Sequence, residues 1–186
     1  MKKFELTSET KINIFGKKLF RIKALISFGD VEAGETGGWV EKEGNVNQSG
    51  NAWVSGDAEV FGNARVSGNA KVFGNAEVSG NAWVSGNAEV YDDAWVSGDA
   101  EVFGNARVSG NAKVFGNADY TTIHGFGTQF RTTTFFRCKD KKVRVACGCF
   151  FGTIPEFREQ VKNTRKGKIA EEYLMIADLM EKHFEK

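Results

Sequence analysis

The stretch GNAWVSGDAEVFGNARVS, residues 50–67, holds three copies of a six-residue unit, and this unit decides the fold. Copies continue to residue 121, with valine at every sixth position from Val54 to Val114 and alanine two residues before each valine. Residues 53–76 recur letter for letter at 95–118, a shift of 42 residues or seven units. The middle of the chain is therefore a regular internal repeat.

The unit predicts a very short strand followed by a corner. Gly followed by Asn or Asp in nearly every copy would penalise a helix heavily, whereas Ala-x-Val alternates with the period of two that is typical of a strand. Gly-Asn suits the corner because both residues tolerate positive φ. Three strands and three corners make a coil of eighteen residues, with valine and alanine inside. We expect a mainly β protein built on a parallel β-helix of four to five coils.

Two poorer copies precede the regular ones. Gly38-Trp39-Val40 and Gly44-Asn45-Val46 hold the same register, so the array is expected to begin near residue 38. Exposed side chains eighteen residues apart should stack on neighbouring coils. The three predicted ladders are Trp53, Lys71, Glu89 and Arg107; Glu59, Glu77, Trp95 and Lys113; and Arg65, Trp83, Glu101 and Asp119. The tryptophans fall on three different faces, which disfavours an aromatic plane for ice or carbohydrate.

The repeat resembles the hexapeptide-repeat proteins, in which an aliphatic residue is followed four places later by a small one. Val54 with Ala58, and Val60 with Ala64, match this signature. The resemblance implies a left-handed β-helix. It also brings acyltransferases to mind, in which a histidine acts as general base and acyl-CoA binds between subunits. Phe73 and Tyr91 should stack on a corner and could form a subunit contact, so a homo-oligomer (dimer or trimer) is expected.

Residues 1–37 are interpreted as an N-terminal β cap. A strand is expected at residues 19–26 after a turn at Gly16-Lys17, and the segment then feeds the first coil. The text KFELT at residues 3–7, LFRI at 19–22, FGDV at 28–31 and GGWVE at 37–41 is similar to the start of phage and bacterial β-helix proteins described as hypothetical or as transferases. This resemblance covers about the first two thirds of the chain.

Beyond the β-helix of residues 38–121, residues 122–186 predict a small α+β domain of ββαα type. Strands are expected at 131–138 and 142–151 around a turn at Asp140-Lys141, and helices at 155–164 and 168–184. Thr153 and Glu156 have the spacing of a capping box. The segment resembles a tail domain common in phage and Gram-positive prophage proteins, although Thr128-Gln129 stands where such proteins often carry Ser-Arg.

Charge separates the repeat from the tail. The chain carries a net +1, but residues 38–121 hold five basic and eleven acidic residues, and residues 122–186 hold thirteen and eight. Attraction for phosphate is therefore expected in the tail. The chain as a whole is nearly neutral and carries no known DNA- or RNA-recognition motif, so sequence-specific binding of a nucleic acid is not expected. No apolar run is long enough for a membrane span, and the start has no secretion signal, so a cytoplasmic location is expected.

The candidate ligand-binding residues lie in the basic tail. If Cys138 pairs with Val143, Arg137 and Arg144 share one face with Thr133 and Phe135, which suits a nucleotide or another phosphorylated ligand. A solvated basic surface is the alternative. The full predicted set is Arg131, Thr133, Phe135, Arg137, Lys142, Arg144, Arg165 and Lys166.

The sequence offers two alternatives to this binding site, a zinc site and an acyltransferase site. Cys138, Cys147 and Cys149 with His124 could suggest zinc, but on the expected hairpin Cys138 and Cys147 lie roughly 13 Å apart, too far to share a metal, and Cys147 and Cys149 face the same way as Val143 and Val145. No metal and no cofactor are expected. An acyltransferase would have to use His124, just past the last coil, as its base.

We therefore expect a non-catalytic scaffold and binding protein. The phage resemblance implies a task in counter-defence, in the host cytoplasm: sequestering a nucleotide signal, or blocking a host defence protein. The alternatives are the acyltransferase using His124 and a structural or virion-associated spacer.

Overall fold

The structure is a computed structural model that describes residues 2–185. These residues form two compact units, the first ending at Asn117 and the second beginning at Ala118. The first is a β-solenoid and the second a four-stranded sheet with two helices. No helix within residues 2–185 is long and apolar enough to cross a membrane.

Each hexapeptide forms a strand of two residues that ends on the repeat valine. Gly-Asn or Gly-Asp closes every corner of the regular repeats except one, where Asp92-Asp93 takes its place with Asp92 at φ +57°. The inward alanines and valines of these repeats are fully buried. The strands, β4 to β14, are Trp53–Val54, Glu59–Val60, Arg65–Val66, Lys71–Val72, Glu77–Val78, Trp83–Val84, Glu89–Val90, Trp95–Val96, Glu101–Val102, Arg107–Val108 and Lys113–Val114.

The strands stack as three parallel sheets, so the predicted parallel β-helix is confirmed. One sheet has the order β4, β7, β10, β13, another β6, β9, β12, and the third includes β5, β8, β11 and β14. Partners along each sheet are eighteen residues apart, as Glu77 opposite Glu59 and Trp83 opposite Arg65 illustrate. Phe73 and Tyr91 stack at 4.9 Å between ring centroids. The left hand implied by the resemblance stays a prediction.

The register of the first two units differs from the prediction. Val40 pairs with Val60 and Val46 bridges Val66, offsets of twenty residues instead of eighteen. The cause is the interval from Val46 to Val54, which has eight residues, two more than the regular repeat. The expectation that Gly38-Trp39-Val40 and Gly44-Asn45-Val46 keep the later register is therefore wrong.

An antiparallel hairpin extends one sheet at its N-terminal edge. β1 (Phe4–Ile12) pairs with β2 (Lys18–Ala24), which pairs with β3 (Thr36–Val40), and β3 pairs in parallel with β5. Asn13 forms the tip of this hairpin because its side-chain oxygen accepts hydrogen bonds from the amides of Phe15 and Lys17. β3 is thereby paired on both sides, so this sheet has no open edge at the first coil. Unpaired edges are where β proteins associate edge to edge.

The C-terminal unit has four antiparallel strands where two were expected. They are β15 (Tyr120–Phe126), β16 (Arg131–Arg137), β17 (Val143–Cys147) and β18 (Phe150–Thr153). A turn at Gly148 and Cys149, with Gly148 at φ +61°, divides the predicted strand 142–151 in two. The strand β15 was not predicted.

Both predicted helices are confirmed. They are α1 (Ile154–Thr164) and α2 (Gly167–Phe184), and Thr153 and Glu156 form the predicted capping box. The core between helices and sheet includes Phe135, Phe157 and Tyr173. The apolar residues of α2 follow at helical spacing and predict one buried face, but Leu179 is 57% exposed, so its place on that face is a wrong prediction. The apolar set is Ile169, Tyr173, Ile176, Leu179, Met180 and Phe184. Leu179 lies about 120° round the helix from the buried positions, at 100° per residue.

Candidate functional site

The C-terminal unit contains a cleft of about 360 Å³ that no acidic side chain lines. Arg131 and Arg165 stand at its polar wall, and both belong to the predicted ligand-binding set. No ion pair of either arginine with a carboxylate occurs among residues 2–185. The other lining residues are Gly127, Thr128, Gln129, Cys147, Cys149, Phe150, Phe157, Gln160, Val161, Thr164 and Tyr173. We call this cavity the two-arginine cleft.

Two hairpin turns form one side of the cleft. The turn between β15 and β16 contributes Gly127 to Gln129, and the turn between β17 and β18 contributes Cys149. Gly127 has φ +71°, and a Cβ added to it would lie 2.4 Å from the hydroxyl oxygen of Tyr173. That hydroxyl donates to the carbonyl oxygen of Phe126 at 3.2 Å, so Tyr173 fixes the first turn against α2.

The second half of α1 forms the opposite side. Phe157, Gln160, Val161 and Thr164 follow at helical spacing on one face of the helix. Arg165 ends the helix, and its amide donates to the carbonyl oxygen of Val161 at 2.8 Å. The guanidinium of Arg165 is thus attached to a rigid element, which suits a binding group.

The chemistry of the cleft favours a planar anionic ligand. Aromatic rings of Phe150, Phe157 and Tyr173 supply apolar surface, while two guanidinium groups, two side-chain amides and three hydroxyls supply hydrogen-bonding groups. Guanidinium groups bind carboxylate and phosphate oxygens in bidentate fashion. A volume of 360 Å³ lies within the usual range for small-molecule sites.

The predicted cluster around Arg137 and Arg144 does not exist as one face. Arg137 pairs with Val143 and Phe136 pairs with Arg144, one residue away from the expected register in which Cys138 pairs with Val143. The turn takes in Cys138 to Lys141, with Lys141 at φ +62°. Because side chains alternate along a strand, this shift places Arg144 on the opposite side of the sheet from Arg137.

Each of these two arginines has an acidic partner. Arg144 pairs with Asp140 at 2.7 Å between Nη2 and Oδ2. Arg137 lies 3.6 Å from Asp119, and its Nη2 donates to the main-chain oxygen of Phe184 at 2.7 Å. Arg137 therefore holds the end of α2 on the sheet.

Two further members of the predicted set lie in the core. Thr133 is 2% exposed and donates from Oγ1 to Cys147 Sγ at 3.1 Å, and Phe135 is fully buried against the helices. Neither side chain reaches a ligand from that position. They shape the floor beneath the cleft instead, through Cys147 and through Phe157, whose ring lies 6.3 Å from that of Phe135.

The two lysines of the set lie outside the two-arginine cleft. Lys142 lines a second concavity of about 400 Å³ together with Arg137 and Lys141, but Glu181 and Glu185 line it too. Lys166 is exposed at the N-terminal end of α2. Carboxylates in the second concavity oppose an anion, so the two-arginine cleft is the better candidate.

His124 lies in β15 and is exposed. Its Nδ1 is 3.1 Å from Thr132 Oγ1 on the neighbouring strand. It is not among the residues that line the two-arginine cleft. The role of His124 as a general base stays a prediction.

The three cysteines have different environments, and no cluster of three or more metal-ligating side chains occurs within residues 2–185. Cys147 faces the core side with Val143 and Val145 as expected, but the same expectation for Cys149 is wrong, because Cys149 lies in the turn and is exposed. Burial raises the pKa of the Cys138 thiol to about 11.

We expect a thiol reagent to label Cys149 at least about tenfold faster than Cys138 at pH 8, because the thiolate is the reactive form and Cys138 is buried as a thiol. Mass spectrometry of peptides after timed alkylation measures this directly. The Cys149→Ser variant serves as the control and should lose the fast phase alone. Equal rates at the two sites would contradict the described turn.

Several lining residues were missed by the sequence reasoning. Gln129, Gln160, Thr164 and Tyr173 carry no motif, and they come together only because two turns and two helices meet. The one available signal was the helical spacing of Phe157, Gln160, Val161 and Thr164.

The chain was compared with protein families and with curated proteins. No family model matches it, and no curated protein matches it either. The relation to phage β-helix proteins therefore stays a prediction.

Proposed function

We propose that this protein is a non-catalytic binding protein that holds a phosphorylated small molecule, a nucleotide by preference, in the two-arginine cleft. One observation carries the proposal: Arg131 and Arg165 face a cleft with an aromatic wall that no carboxylate lines. A phosphate would pair with the guanidinium groups, and a base would lie on the partly exposed ring of Phe150.

The proposed biological task follows from the resemblance to phage proteins. Sequestering a nucleotide signal in the host cytoplasm would interfere with a defence system that depends on this signal. The solenoid would then act as a rigid scaffold, and the stacked pair Phe73 and Tyr91 as a contact in a homo-oligomer. Direct blocking of a host defence protein is the other form of the same proposal.

We expect a matching nucleotide at one hundred times its Kd to raise the Tm by about 5–10 °C, because a ligand that binds the folded state alone adds about 2.7 kcal/mol. Thermal shift against a small nucleotide library measures this. Arg131→Ala and Arg165→Ala should each abolish the shift. Arg144→Ala is the matched control, since Arg144 is on the other face of the sheet with Asp140, and it should keep the shift.

Three outcomes would count against the proposal. A library without any shift would favour a spacer, and loss of the shift in Arg144→Ala would move the site away from the cleft. Recovery of a chemically altered ligand after heating would show catalysis, and His124→Ala would then test the acyltransferase alternative.

A further inference from the structure

The solenoid unit carries four tryptophans, and three of them are covered by other side chains. Trp39 and Trp53 are buried, at 7% and 4% exposure, and Trp95 is partly buried. The covering groups are Lys11 and Arg21 over Trp39, Phe4 and Phe28 against Trp53, and Phe15 and Phe115 against Trp95. An indole on an outward face of this solenoid is thus normally packed.

Trp83 is the exception. Its side chain is 47% exposed, and its indole N–H donates to Ser67 Oγ at 2.8 Å, which fixes the edge of the ring. It lines a concavity of about 560 Å³ beside the 3₁₀ turn Glu43–Asn45. An oriented and uncovered indole at the rim of a cavity can stack on the flat face of a ligand.

The polar groups around this cavity are mainly donors. Arg65 is the direct strand neighbour of Trp83, about 4.8 Å away along the sheet, and within residues 2–185 its guanidinium forms no ion pair. The Oδ1 atom of Asn47 already accepts from the amide and hydroxyl of Ser49, so its NH₂ group is what this amide can offer a ligand.

The side-chain acceptors that line the cavity already have donors. Glu43 pairs with Lys2 at 2.9 Å, which lowers the pKa of this carboxyl, and it also accepts from Gln48 Nε2 at 2.7 Å. The amide oxygen of Gln48 accepts from the main-chain N–H of Lys3 and Phe4. A ligand must therefore bring acceptors of its own, which selects a hydroxyl-rich or anionic molecule.

The charge of the solenoid narrows this choice. Residues 38–121 hold eleven acidic and five basic residues, so the surrounding field opposes a ligand with several negative charges. Glu43 lines the cavity as well, but its charge is paired with that of Lys2. One ligand carboxylate beside Arg65 is therefore compatible with that field, whereas a phosphate with about two charges is less so. A ring with one carboxylate and several hydroxyls meets all of these conditions.

We propose that Trp83, Arg65 and Asn47 form a binding site for an acidic sugar of the hexuronic acid class. The C–H face of the pyranose stacks on the indole of Trp83, and the carboxylate pairs with the guanidinium of Arg65. The site accepts one ring, which agrees with the lack of an aromatic plane along the solenoid. It shares no residue with the two-arginine cleft and does not depend on the function proposed for that cleft.

The test is a titration of ¹⁵N-labelled protein with glucuronic acid, followed by the indole N–H signals, with Trp83→Phe identifying the signal of Trp83. We expect a saturable shift of this signal with a Kd in the range of about 0.1–10 mM, while the other three indole signals stay in place. Arg65→Ala should weaken binding at least about tenfold. Arg107→Ala is the matched control and should have no effect, because Arg107 holds the same repeat position and is paired with Glu89 at 3.0 Å.

Two further titrations test the ligand class. Glucose lacks the carboxylate and should bind at least about fivefold more weakly, and uridine monophosphate should leave the signal of Trp83 unmoved. Lack of a Trp83 shift at about 50 mM glucuronic acid would overturn the proposal. Equal binding of glucose, or tighter binding of the nucleotide, would overturn the role of Arg65 or the ligand class. Arg131→Ala, which tests the two-arginine cleft, should not change these results.

Discussion

The Gly86→Ala substitution is expected to lower the free energy of unfolding by about 2–5 kcal/mol. Gly86 has φ +69°, a conformation that costs an L-residue about 1–2 kcal/mol. In addition, the new Cβ would lie 2.8 Å from the main-chain nitrogen of Gly104 on the next coil. A backbone atom held in a stacked rung cannot move aside cheaply, so steric strain of about 1–3 kcal/mol adds to the conformational cost.

Gly104→Ala is the matched control for this experiment. Gly104 occupies the same corner eighteen residues later with φ +70°, but nothing lies within 4 Å of the Cβ that would be added there. The free energy of unfolding of the Gly104→Ala variant should therefore fall only by the conformational cost, about 1–2 kcal/mol. Guanidinium unfolding of both variants, followed by circular dichroism, measures the difference. Equal losses would mean that the coils do not stack at the described spacing.

The solenoid could be predicted from the sequence because one six-residue unit repeats almost without change. Each copy predicts the same strand and the same corner. A register shifted by one residue would turn every valine outward. The eighteen-residue spacing also produces a ladder in the corners that was not predicted, where Asn51 donates to Asn69, Asn69 to Asn87 and Asn87 to Asn105, each at 3.0 Å. Repetition thus supplied the long-range information that a single sequence usually lacks.

The start of the array could not be predicted correctly for the opposite reason. Val46 fits the unit either at the alanine position or at the valine position, since both point inward. The interval of eight residues from Val46 to Val54 allows either position, and only the tertiary contacts choose between them. The bridge from Val46 to Val66 shows that Val46 takes the valine position. Asn45 supports the observed register, because its buried amide donates to the main-chain oxygen of Ala64 at 2.8 Å.

The C-terminal unit shows how one residue of error in a turn displaces a predicted site. The turn was predicted at Asp140-Lys141, and in the structure it is closed by the hydrogen bond from the amide of Cys138 to the carbonyl oxygen of Lys142. A shift of one residue places a side chain on the other face of the sheet, so Arg144 does not lie beside Arg137 as predicted. The helices were predictable because Thr153, Pro155 and Glu156 give a strong local start signal.

The second large prediction concerns Glu77 under the N-terminal hairpin. Glu77 is the strand neighbour of Glu59 on one side and of Trp95 on the other. Glu59 is already held by Lys11 at 2.8 Å and by the Nδ2 group of Asn13 at 3.0 Å. The ring of Phe15 lies 5.9 Å from that of Trp95, so the hairpin tip covers this part of the sheet.

The carboxyl of Glu77 therefore ionises with difficulty. Its Oε1 is buried and has no hydrogen-bond partner within residues 2–185. Burial first, and then the nearby charge of Glu59, raise the pKa of Glu77 to about 7. Because the folded-state pKa is higher than the unfolded one, the protonated form favours folding. This contribution is fully present below about pH 4.5 and is lost as the pH rises through about 7.

The Glu77→Gln substitution is expected to stabilise the protein at pH 8 and to have little effect at pH 4.5. The shift of the pKa would correspond to at most about 3.4 kcal/mol, and solvent screening of a half-buried group reduces this to about 1–2 kcal/mol. For a chain of 186 residues we expect a Tm about 2–8 °C above that of the unchanged protein at pH 8.

Thermal unfolding at pH 4.5, 6, 7 and 8 measures the effect as the difference in Tm between the Glu77→Gln variant and the unchanged protein. That difference should rise with pH, most steeply between about pH 4.5 and 7, and should level off above about pH 7. Glu89→Gln is the control: it occupies the same repeat position on another sheet, where Arg107 pairs with it at 3.0 Å, so its loss should lower the Tm slightly at pH 8. A difference for Glu77→Gln that does not change with pH would mean that the hairpin does not cover the carboxyl, since an exposed Glu77 would ionise near its ordinary pKa and gain nothing from neutralisation.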